Sequence, residues 1–66
     1  MTQEIKTIAG TWYTINCTAA VTVTEIIDGE ISQLVTLEQS GSEAFRAASD
    51  RITVETEGKY RIFPFA

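Results

Sequence analysis

Histidine is absent from this 66-residue chain, cysteine and proline occur once each, and leucine occurs only twice. Cys17 is the lone thiol, so no intramolecular disulfide can form. One thiol without any imidazole also falls short of the four Cys or His ligands of a structural zinc site. The same shortage disarms nucleophilic catalysis. Cys17 has no histidine to take its proton, and its neighbours Asn16 and Thr18 bring no positive charge, so it reads as a buried, inert thiol. Gly10, Gly29, Gly41 and Gly58 are isolated, each at a turn signal, which leaves no glycine loop for a phosphate. No run approaches the ~20 apolar residues of a membrane span. Met1-Thr2-Gln3-Glu4-Ile5-Lys6 lacks the basic and apolar regions of a secretion signal. The expected location is the cytoplasm, or a larger particle assembled there. Asn16-Cys17-Thr18 fits a glycosylation triplet, but without a secretion signal the match is chance.

Basic residues are also scarce: five Lys and Arg face nine Asp and Glu, for a formal charge of -4. A general nucleic-acid binder needs a basic field, so that class is not expected. The charge is unevenly spread. Met1 to Phe45 sums to -5, and Arg46 onward to +1. One reading is ordinary solvated charge; the sharper one is a basic C-terminal face meeting an acidic face on a neighbour. Among the carboxylates, Glu25, Asp28 and Glu30 gather at a hairpin tip, where water is expected to solvate them. A carboxylate metal site at that tip is the minor alternative, since calcium wants six or more converging oxygens. No catalytic, cofactor-binding or metal-ligating residue is assigned.

What the chain has in quantity is β-branched residues: ten Thr, eight Ile and four Val. Their stiff χ1 angles favour a pleated surface over a helix. Asp28-Gly29 supplies the positive φ angles of a two-residue turn between Ala20–Ile27 and Glu30–Leu37, both alternating runs. Further turn signals at Ala9-Gly10, Ser40-Gly41-Ser42, Ser49-Asp50 and Glu57-Gly58 predict strands near 3–8, 11–17, 20–27, 30–38, 43–48, 51–56 and 59–65. Ser42–Ala48 is ambiguous: Ser40 with Glu43 mimics a capping box, but strand neighbours on both sides favour a strand. The expected architecture over 1–66 is a single all-β domain, a small antiparallel sandwich or barrel of about six to seven short strands. Pro64 cannot donate a ladder hydrogen bond and belongs at an edge or a strand end.

A chain of this size buries only roughly 60% of its unfolded surface and usually needs a staple. With disulfide and metal excluded, contact with other polypeptides remains, and a homo-oligomer (a trimer is one option) is expected. The segment Ile62-Phe63-Pro64-Phe65-Ala66 has no polar side chain, which suits docking better than fraying. In the last strand Tyr60 and Ile62 share one face, while Phe63 and Phe65 share the other with Lys59 and Arg61. Trp12, Tyr60, Phe63 and Phe65 are the candidate interface residues, because aromatic side chains commonly anchor such contacts.

Two resemblances bear on function. Ile8-Ala9-Gly10-Thr11-Trp12-Tyr13 resembles the Gly-x-Trp block that opens lipocalin barrels. A lipocalin needs eight strands, and its later Thr-Asp-Tyr block and closing Arg have no counterpart here. The match is therefore taken as coincidental, leaving a core Trp12 beside a half-exposed Tyr13 as the expectation. The C-terminal half, through Ser40–Phe45, Ser49–Val54 and Gly58–Phe65, is similar in style to small β modules of bacteriophage virions. That resemblance implies a non-enzymatic, self-associating accessory of the capsid-decoration, head-fibre or tail type, located in the virion or host cytoplasm. Its partners would be copies of itself or other virion proteins. Alternatives are a small acidic module that binds or inhibits a host protein and, less favoured, a ligand-binding barrel formed across protomers. Neither a membrane partner nor a small-molecule ligand is expected.

Overall fold

The computed structural model describes residues 1–65. Its seven strands are β1 Thr2–Lys6, β2 Trp12–Cys17, β3 Val21–Ile27, β4 Glu30–Leu37, β5 Gly41–Arg46, β6 Arg51–Thr56 and β7 Tyr60–Pro64. Each expected strand is present, with ends displaced by at most two residues, and the ambiguous Ser42–Ala48 stretch contributes a strand. Two antiparallel sheets form, in the orders β1-β6-β3-β4 and β5-β2-β7. The protein is all-β, a small antiparallel sandwich. Only β3 and β4 are both consecutive and paired; every other connection crosses from one sheet to the other.

That one hairpin turns where the sequence predicts, with Asp28 at φ 52° and Gly29 at φ 80°. Positive φ at both central residues gives the turn a twist that matches the strands it joins. Further along the hairpin, Val23 opposes Val35 but Thr24 opposes Gln33, so Leu34 is an extra residue that bulges β4. Pro64 closes β7 at the edge of its sheet, where a missing donor costs no ladder bond.

The pleat sends alternate residues inward. Tyr13, Ile15 and Cys17 from β2 and Phe45 from β5 meet Val21, Val23, Val35, Ile52 and Val54 from the larger sheet. Tyr13 stacks on Phe45 with ring centroids 5.8 Å apart. Tyr60 and Ile62 pack against the margin of this core, and the Tyr60 hydroxyl donates to Gln3 Oε1 at 2.6 Å, tying β7 to β1. The expected roles of the adjacent aromatics are reversed: Tyr13 is buried (7% exposed) and Trp12 is the half-exposed one (49%). In the phase set by Ile15 and Cys17, only Tyr13 can point inward, and its hydroxyl is satisfied by the Ile8 N–H, which donates at 2.9 Å.

The link between β5 and β6 is held from below by Glu25. Its carboxylate accepts from the Ala48 N–H (3.1 Å), the Ser49 N–H (3.2 Å) and the Ser49 hydroxyl (3.1 Å). Glu25 is therefore buried (3% exposed) and is not a solvated residue of the hairpin tip. Its inward direction follows from sharing a phase with Val21 and Val23. Around it, Thr7 donates from its backbone to Asp50 O and from its hydroxyl to Ser49 O, joining the 7–11 and 47–50 connections. Among the described residues no buried side-chain nitrogen or oxygen lacks a partner. At the opposite end Gly58 passes so close to the 18–19 turn that a Cβ there would sit 2.8 Å from that of Ala19.

Candidate functional site

The outward positions of the three-stranded sheet form a small grid set by its register. Across β5, β2 and β7 its rows read Arg46, Trp12, Phe65, then Ala44, Thr14, Phe63, then Ser42, Asn16, Arg61. Trp12 and Phe65 lie with ring centroids 6.4 Å apart, and the Phe65 N–H donates to Trp12 O at 3.0 Å. Phe63 follows two residues back along β7, on the same face. Trp12, Phe63 and Phe65 are 49%, 42% and 55% exposed. Three large aromatic side chains half out of water on one sheet face is unusual for a surface with no partner.

The polar members of the grid are equally one-sided. Arg46 and Arg61 occupy opposite corners, and the Arg46 Nε–H donates to Gly10 O at 3.3 Å. The Ser42 hydroxyl donates to Asn16 Oδ1. None of the nine grid residues carries a carboxylate, in a chain with nine acidic side chains and a charge of -4. An aromatic cluster flanked by two arginines, with no acid, matches the residue types enriched in protein-binding patches.

Of the four candidate interface residues, the fold brings Trp12, Phe63 and Phe65 together. Tyr60 is separated from them: it lies on the inner side of β7, half buried and bonded to Gln3. Sequence reasoning missed Arg46 and Ala44 as companions of Trp12. The usable signal was the alternation Trp12, Thr14, Asn16 against Tyr13, Ile15, Cys17, which fixes the outward set of β2. Which strands flank β2 is not encoded locally.

Little else gathers chemistry. The Cys17 thiol is buried and donates to Gly41 O at 3.6 Å. A cleft lined by Glu4, Glu25, Ser49, Asp50, Arg51 and Thr53 contains the Glu25 carboxylate, but its oxygens already serve as a loop clamp. Among the described residues no group of three or more His, Cys, Asp or Glu could hold a metal ion. Among the described residues no helix is long and apolar enough to cross a membrane. Compared with protein-family models, curated proteins and solved structures, the chain matches none.

Proposed function

We propose that this chain is a non-enzymatic structural protein that self-associates through the outer face of the β5-β2-β7 sheet. The observation that carries the reading is the co-exposure of Trp12, Phe63 and Phe65 on one face. Removing these rings from water releases free energy in proportion to the apolar area covered, at about 25 cal/mol per Å². A sandwich this small, held without disulfide or metal, gains most from such cover. The style of its strands and turns supports placement as an accessory of a bacteriophage virion, of the decoration, fibre or tail type.

Light scattering across a dilution series tests the first part. An oligomer that dissociates on dilution, and whose Trp12 fluorescence shifts as it does so, is the expected result. A monomer at every concentration would remove self-association and leave the acidic host-binding module as the better reading. Recovery of the chain in purified particles tests the virion placement.

A further inference from the structure

We infer that self-association is head to tail: the aromatic and arginine face of one copy seats on the acidic β4–β5 margin of the next. This rests on the self-association proposed above and adds which surface the face recognises. From Glu30 to Phe45 the chain has three acids and no Lys or Arg. Two of them, Glu38 in the connection between β4 and β5 and Glu43 on β5, are exposed. β5 is an edge strand there, bonded to β2 alone. The adjoining face, to which β5 gives Ser42, Ala44 and Arg46, holds Arg46 and Arg61 with no carboxylate.

A two-fold contact would stack this face on itself and place the four guanidinium groups of the pair in one interface with no carboxylate among them. Like charges juxtaposed in an interface oppose it. Seating the face on the Glu38 and Glu43 margin of a second copy instead pairs the signs and covers the rings. Because the two surfaces differ, each copy still offers one of each. Such contacts close into a ring if the rotation permits and otherwise extend as a filament.

Two variants test this, each destroying one surface. Trp12→Ser with Phe63→Ser removes the face and keeps the margin; Glu38→Lys with Glu43→Lys removes the margin and keeps the face. All four positions are exposed, and thermal melts of each variant verify that both fold. Each variant alone is expected to weaken assembly at least tenfold, while an equimolar mixture forms a one-to-one dimer that grows no further. Assembly of the Glu38→Lys, Glu43→Lys variant at the wild-type concentration overturns the head-to-tail contact and leaves self-association standing. So does a mixture of folded variants that yields no dimer. A wild-type chain that never assembles overturns both readings. If that monomer also retards a single-stranded oligonucleotide, and Trp12→Ser with Phe63→Ser abolishes the shift, the face is a base-stacking surface instead.

Discussion

The two outer faces of the sandwich are built from the same pleat and differ in almost everything else. On the four-stranded sheet, β1, β6, β3 and β4 present Thr2, Glu55, Thr22 and Thr36 in one row and Glu4, Thr53, Thr24 and Gln33 in the next. Lys6 and Arg51 follow, so acids and bases balance, and Arg51 lies 3.7 Å from Glu4. Only the exposed Ile26–Ile31 pair near the turn breaks the polar pattern. The outer grid of the three-stranded sheet shows aromatics, two arginines and no acid. One face is polar and balanced in charge; the other is aromatic and basic. Both sheets contribute inner residues to the shared core without using these outer positions, so the fold itself does not require the difference.

The shared core is where the comparison breaks most severely. Ile15 is fully buried between the sheets. Ile15→Ala is expected to lower the unfolding free energy by about 2–5 kcal/mol in chemical denaturation, removing both faces together. A loss well under that would mean the layers are less interdependent than their packing implies. Next comes the selective test: Trp12→Ser with Phe63→Ser should raise the dissociation concentration about a hundredfold, or ~2.7 kcal/mol. Thr24→Ala with Thr53→Ala on the opposite face should leave it unchanged. Equal effects from the two pairs would erase the distinction. Third, Glu25→Gln weakens the clamp that links the sheets through Ala48 and Ser49, at a cost of about 1–3 kcal/mol in thermal or denaturant unfolding. Faster amide exchange confined to 47–50 is the local signature. The smallest effect belongs to the solvated face. Glu4→Gln loses an ion pair whose side chains are 65% and 59% exposed, should change stability by less than about 1 kcal/mol, and should not touch assembly.

Much of the fold was legible because its determinants are local. Asp28-Gly29 states its turn outright, and Ile52 with Val54 states the inward phase of β6. The split of Tyr60 and Ile62 from Phe63 and Phe65 was likewise readable from alternation and is what the register shows. Of the helix-favouring residues of 42–48, those through Arg46 adopt a strand, with Phe45 completing the core beside Tyr13. What local pattern could not give is strand order, and the site depends on it: Arg46 and Phe65 flank Trp12 only because β5 and β7 choose β2. Trp12 and Glu25 were misjudged differently. Residue type was weighed above phase, and in both strands phase decided which side faced inward.

The crossing topology has a kinetic corollary. Apart from the β3–β4 hairpin, every paired strand must find a partner far along the chain, and such non-local pairing is slow, with sandwiches folding in milliseconds to seconds. Two of the three exposed aromatics, Phe63 on β7 and Phe65 just after it, reach β2 across most of the sequence. The patch of Trp12, Phe63 and Phe65 is therefore complete only after β7 has docked on β2, so any contact made through it waits for the last strand of the chain.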